Sequence, residues 1–107
     1  MPIYHKLVRD RILDILESKN LTYSAKVLSD ANFEQAIKAK FNEEIIEYQQ
    51  TDSKEEALEE LVDLLELVYA AANIHNTTPQ QLELLRQDKV QRKGAFENRH
   101  YLIEVED

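Results

Sequence analysis

The chain has 107 residues, 43% of them apolar, and a formal net charge of −8. This length is typical of one domain, so we predict a single domain over residues 1–107. The acidic balance argues against a nucleic-acid binder, and the lack of cysteine excludes disulfides and thiolate metal sites. Because no leader-like start and no 18-residue apolar stretch is present, we expect a cytoplasmic protein with no membrane partner.

Four helices are predicted in chain order, and the single glycine and two prolines favour long helices with few tight turns. The helices are expected to follow these N-caps: Asp10, Ser29 or Asp30, Ser53, and Thr78. Their expected ends are close to these residues: Asn20, Gln50, His75 and Lys93. Ser53 with Glu56 has the spacing of a capping box, Pro79 suits the first position of the last helix, and Gly94 suits its C′ position.

The predicted fold is all-α, an antiparallel bundle of about four helices with short extended termini. Residues 21–28 are rich in Thr, Tyr and Val and are interpreted as an extended connector or a short strand, and the tail 95–107 as extended. Short turns at 51–53 and 76–78 favour antiparallel neighbours. The third helix is apolar on most sides, so we expect a dimer or higher oligomer that covers a second surface. Candidate residues for that surface are Val62, Leu67 and Tyr69.

Two pairs of acids stand out because each has helical i,i+3 spacing, Glu44 with Glu47 and Glu60 with Asp63. On a helical wheel Glu44 falls inside the apolar arc of its helix, and the second pair borders apolar flanks. Buried carboxylates are costly unless they are paired or bound to metal, and few cations are evident nearby in sequence. The pattern therefore predicts a site for a hard divalent cation such as Mg²⁺. A solvated acidic face is the alternative, and we assign these nearby acids to it: Glu55, Glu56 and Glu59.

The string Glu43-Glu44-x-x-Glu47, twelve residues, then Glu60-x-x-Asp63 resembles the signature of the MazG-like all-α nucleoside triphosphate pyrophosphohydrolases. The segments KLVRDRI (6–12) and RKGAF (92–96) are similar to the flanks of small single-domain members, which are often called phosphoribosyl-ATP pyrophosphohydrolase-like. The resemblance thus covers nearly the whole chain. Ala95 departs from it where a second glycine is expected, which affects the shape of that turn and not the acids.

The resemblance implies Mg²⁺-dependent hydrolysis, with Mn²⁺ as a substitute, of a non-canonical or excess nucleoside triphosphate to the monophosphate and pyrophosphate by a homodimer or homotetramer. By motif position the metal ligands would be Glu44, Glu47, Glu60 and Asp63. Glu43 would be an outer ligand or would hold a water, and Glu47 is our choice of general base, so these two are the catalytic candidates.

Cations are needed beside a triphosphate, and the basic residues concentrate at the two termini. The candidate substrate-binding residues are Lys6, Arg9, Lys89 and Lys93. Pairing with the helix dipole is an equal alternative for the last two. Two other functions stay open: the phosphoribosyl-ATP pyrophosphohydrolase of histidine biosynthesis, and a non-catalytic helical dimerisation module.

Overall fold

The computed structural model describes residues 2–107 and shows an all-α chain of four helices. Their bounds are α1 Ile12–Ser18, α2 Asp30–Gln49, α3 Lys54–Ile74 and α4 Pro79–Lys93. No strand is present in residues 2–107. The predicted fold class is therefore confirmed, and residues 21–28 form a connector and not a strand.

The three longer helices begin at predicted N-caps. The hydroxyls of Ser29, Ser53 and Thr78 each accept a hydrogen bond from the backbone N–H three residues further on, at 3.1–3.3 Å. At α4 the Gln81 side chain also accepts from the Thr78 N–H at 2.9 Å, which completes a capping box. These side chains satisfy donors that the first turn of a helix leaves free, and they fix where each helix starts.

Three details of the predicted ends are wrong. Arg11, not Asp10, is the N-cap of α1, and no side chain caps that end. The Glu56 carboxylate accepts from the Asp52 N–H at 3.2 Å and not from Ser53, so the box at α3 is only half formed. Gly94 lies one position earlier than expected, at the C-cap of α4, where its φ of +84° suits a residue without a side chain.

The packed part of the molecule is the antiparallel pair α2 and α3, joined by the short connection 50–53. Ile37 on α2 and Ala72 on α3 are its buried apolar side chains, at 2% and 8% exposure. α4 contacts α3 to a smaller extent, and within residues 2–107 α1 packs against no other helix. None of the helices in the described part of the chain has the length and apolar character needed to span a membrane. The core is thin, and one of the acids described below, Glu44, lies within it.

Candidate metal centre

Five acids from α2 and α3 converge on one place in the helix pair. Carboxylate oxygens of Glu44, Glu60 and Asp63 lie within 4.8 Å of one another. A second group on α2, formed by Glu43, Glu44 and Glu47, meets the same limit. The i,i+3 spacing places each pair on one face of its helix, and the antiparallel packing of α2 on α3 brings the two faces together.

Glu44 belongs to both groups and is the residue on which the centre is built. Its exposure is 5%, and in residues 2–107 no other polar or charged residue is as buried. One oxygen of Glu44 and one of Glu60 (Oε2 in each case) are buried without a hydrogen-bond partner. A buried carboxylate oxygen with no donor is costly, and a bound cation would remove that cost.

The donor set fits a hard cation. All candidate ligand atoms are carboxylate oxygens, which Mg²⁺, Mn²⁺ and Ca²⁺ prefer, and the described residues contain no cysteine to attract a softer metal. Two overlapping groups that share one buried carboxylate offer more ligands than a single Mg²⁺ takes from protein. The acidic clusters could therefore bind a metal ion, and the shared position of Glu44 would suit two.

The crowding of carboxylates shifts two pKa values upward. Burial raises the pKa of Glu44, and the neighbouring carboxyl of Glu60 adds to the rise. The pKa of Glu47 is raised chiefly by the neighbouring carboxyl of Glu44, with burial as the next cause. Without a cation, the cluster favours keeping protons on these carboxyls, which is the usual behaviour of like charges held together.

Two cations of the chain partly neutralise the centre, which is fewer than its four proposed metal-binding carboxylates. The Lys40 ammonium lies 3.2 Å from Glu43 Oε1 and 3.5 Å from Glu44 Oε1. Lys40 is one helical turn before these acids, so the i,i+3 and i,i+4 spacing could have revealed it. Arg9 Nη2 donates to Asp63 Oδ1 at 2.6 Å across 54 residues of sequence, which no local pattern indicates.

The other predicted substrate-binding cations are not drawn into the centre. The Lys6 ammonium lies 5.5 Å from the centroid of the Tyr4 ring. Lys89 and Lys93 are exposed on α4, and within residues 2–107 neither forms an ion pair with a carboxylate. Of the four, the structure brings only Arg9 to the acids. Glu55, Glu56 and Glu59 are exposed, as expected for solvated charges.

Comparison with known proteins gives no relative: no family model, no curated protein and no solved structure matches this chain.

Proposed function

We propose that this protein is a cytoplasmic, Mg²⁺-dependent pyrophosphohydrolase of the MazG-like kind. It would cleave a non-canonical or excess nucleoside triphosphate to the monophosphate and pyrophosphate. The observation that carries the proposal is the buried Glu44, with an unpartnered oxygen, shared by two groups of three acids. A solvated acidic face would not place a charged residue at 5% exposure. We infer the type of reaction from the resemblance of the five-acid string to the MazG-like signature.

The ligand roles follow from the two groups. Glu44, Glu60 and Asp63 would hold one ion, and Glu47 with Glu44 would hold a second, with Glu43 as an outer ligand or the holder of a water. When bound, Mg²⁺ would supply Lewis-acid stabilisation of phosphoryl oxygens and a more acidic water, and Mn²⁺ could replace it. The Lys40 ammonium lies 3.2 Å from Glu43 Oε1, and this ion pair favours an outer role for Glu43.

Glu47 is the best candidate for general base. It is more exposed than Glu44 and lies at the open side of the group, where a substrate water can reach it. In this role the Glu47 carboxylate would take the proton of the water that attacks the phosphorus.

A nucleotide panel with Mg²⁺ or Mn²⁺ tests the reaction. We expect release of pyrophosphate from at least one nucleoside triphosphate, and an Asp63→Asn variant should lower kcat/KM by on the order of 100-fold, because a ligand of the ion is weakened. Glu55→Gln is the matched control, since Glu55 is exposed and outside both groups. The panel includes phosphoribosyl-ATP, and activity confined to that compound would assign the histidine-pathway reaction instead.

The proposal fails if no nucleotide in the panel releases pyrophosphate, or if Asp63→Asn retains full activity. The first outcome would favour a helical dimerisation module without catalysis. Full activity in Asp63→Asn, together with activity in the wild type, would place the reaction at another site of the chain.

We also propose that the working form is a homodimer or homotetramer. A compact monomer of 12.5 kDa exposes about 6,200 Å². This chain exposes 10,118 Å², and its radius of gyration is 18.2 Å against about 13 Å for a compact chain of this length. The excess of about 3,900 Å² is several times the area of roughly 800 Å² that each partner buries in a standard interface.

The outer side of α3 is the apolar surface that a second copy would cover. Val62 is 60% exposed there, and Leu58 and Leu65 are each 49% exposed on the same side of the helix. Leu67 and Tyr69 are only partly exposed, so Val62 is the most accessible of the three residues predicted from the sequence. A monomer would leave this apolar surface in water and would lack the stabilising free energy that burying the surface in an interface provides.

A charge on the apolar surface of α3 should break the assembly. We expect Val62→Glu to shift the mass measured by light scattering to that of one chain, or to unfold the protein, because a carboxylate cannot be buried there without a partner. Gln35→Glu adds the same charge at an exposed polar position of α2 and should leave the mass unchanged. A wild-type mass equal to one chain would contradict the assembly proposal.

A further inference from the structure

The two cations at the metal centre are held in different ways. Lys40 is part of α2, its side chain is 19% exposed, and it contacts two acids of its own helix. Arg9 belongs to the irregular segment before α1, and its side chain is 55% exposed. Within residues 2–107 its one ion pair is with Asp63. Lys40 is therefore a fixed counterion, whereas Arg9 can leave by rotation about its own side-chain bonds.

Arg9 occupies a carboxylate that the metal centre needs. Asp63 is one of the three acids whose oxygens lie within 4.8 Å of one another, and its Oδ1 accepts from the guanidinium at 2.6 Å. A cavity of about 80 Å³ is lined by residues 7–9 together with Lys40, Glu44 and Asp63, so Arg9 borders a small space beside the acids. A divalent cation placed among these acids would repel the guanidinium and compete with it for Asp63.

We propose that Arg9 is a displaceable counterion that couples metal binding to substrate binding. In the metal-free protein the guanidinium neutralises Asp63. A divalent cation takes Asp63 and releases Arg9, and the freed guanidinium binds phosphate oxygens of the incoming polyphosphate. The fork of N–H donors in a guanidinium suits phosphate as well as carboxylate, so one side chain can serve both partners in turn. This inference rests on the proposed metal centre and adds an order of events: the cation binds before the polyphosphate.

The test uses Mn²⁺ alone, titrated calorimetrically into the full chain. If the guanidinium competes with the ion, Arg9→Gln should bind Mn²⁺ roughly fivefold or more tightly than the wild type. Arg11→Gln is the matched control, because it removes the same charge only two residues further along the chain. In the described residues the Arg11 side chain forms no ion pair. The Mn²⁺ affinity of this variant should change by less than twofold. Arg9 lies outside the helices, and far-UV circular dichroism would verify that the variant keeps its helical content.

The second arm measures inorganic pyrophosphate binding to the Mg²⁺-saturated protein. Arg9→Gln should bind pyrophosphate roughly tenfold more weakly than the wild type, because a charge-assisted phosphate contact is lost, and Arg9→Lys should recover part of that loss. Unchanged or weaker Mn²⁺ binding in Arg9→Gln would show that Arg9 stays on Asp63 as an outer partner, and it would overturn the exchange. Unchanged pyrophosphate affinity would overturn the second half of the proposal. No Mn²⁺ binding by the wild type would instead overturn the metal centre, along with the exchange built on it.

Discussion

The Glu44→Gln variant is expected to lose both divalent-cation binding and pyrophosphate release, by on the order of 100-fold or more. Glu44 is the one acid shared by the two oxygen groups, so its loss weakens both places where an ion could bind. Glutamine keeps the size of the side chain and one oxygen but removes the charge, which separates loss of ligation from loss of packing. Because this residue is only 5% exposed, water cannot easily replace the missing ligand.

The same variant should be more stable than the wild type when no divalent cation is present. At neutral pH the wild type must either keep a carboxylate with one buried, unpartnered oxygen in the helix pair or hold a proton on it, and both cost free energy. Glutamine removes that cost, and Lys40 keeps its contact with Glu43 at 3.2 Å. Thermal unfolding in a chelator would show a higher midpoint for Glu44→Gln, while calorimetric titration with Mn²⁺ would show weaker binding.

Glu59→Gln is the control for this pair of effects. It makes the same chemical change on α3 at an exposed position outside both groups. We expect Glu59→Gln to match the wild type in metal affinity and in midpoint. If Glu44→Gln lowered the metal-free midpoint and kept its Mn²⁺ affinity, Glu44 would be a structural ion-pair partner of Lys40 and not a ligand.

Local sequence signals predicted the helices well because their causes are local. The N-caps Ser29, Ser53 and Thr78 accept hydrogen bonds from backbone groups only three residues away. Both partners of each bond therefore lie within one short sequence segment. The i,i+3 spacing of the acids is local in the same sense. The start of α1 shows the limit: Asp10 is a good cap by composition, but the N-cap lies one residue later, at Arg11, and the helix begins at Ile12.

The parts of the centre that depend on distant contacts could not be predicted. Arg9 reaches Asp63 across 54 residues, and only the path of the segment before α1 brings them together. Residue type pointed to Lys6, Lys89 and Lys93 equally well, since exposed lysines carry no information about where the chain places them. Lys40 was within reach of local reasoning, because it stands four residues before Glu44.

The stability of the metal-free protein should fall as the pH rises above 4.5, the ordinary value for a glutamate, through the raised pKa values of Glu44 and Glu47. Over that range the folded protein holds protons that the unfolded chain releases. Since the folded state then binds more protons, the free energy of unfolding decreases with increasing pH. Glu83 changes the free energy of unfolding in the opposite direction, because its hydrogen bond with Arg86 lowers its pKa to about 2. Its stabilising contribution grows with pH and is complete once the pH exceeds 4.5. The two effects therefore occupy different pH ranges.

Mg²⁺ should reverse this loss, and its effect should grow with pH. A cation binds the deprotonated carboxylates, so protons compete with it less and less as the pH rises from 4.5 to 7.5. At a free concentration of 100 times Kd, binding stabilises the folded state by about 2.7 kcal/mol. For a domain of this size that corresponds to a rise in midpoint on the order of 10–20 °C.

Thermal unfolding at constant protein concentration, at several pH values between 4.5 and 7.5, measures both effects. NaCl of matched ionic strength is the control, because simple screening of 21 acidic side chains would also relieve repulsion. Glu44→Gln should show a flatter pH profile and almost no response to Mg²⁺. A wild-type response to Mg²⁺ that equals the response to NaCl, or that does not depend on pH, would mean that the ion acts on the overall negative charge and not on the five acids of α2 and α3. The pH dependence of the Mg²⁺ effect therefore separates a built metal centre from an acidic surface, which the number of acids alone cannot do.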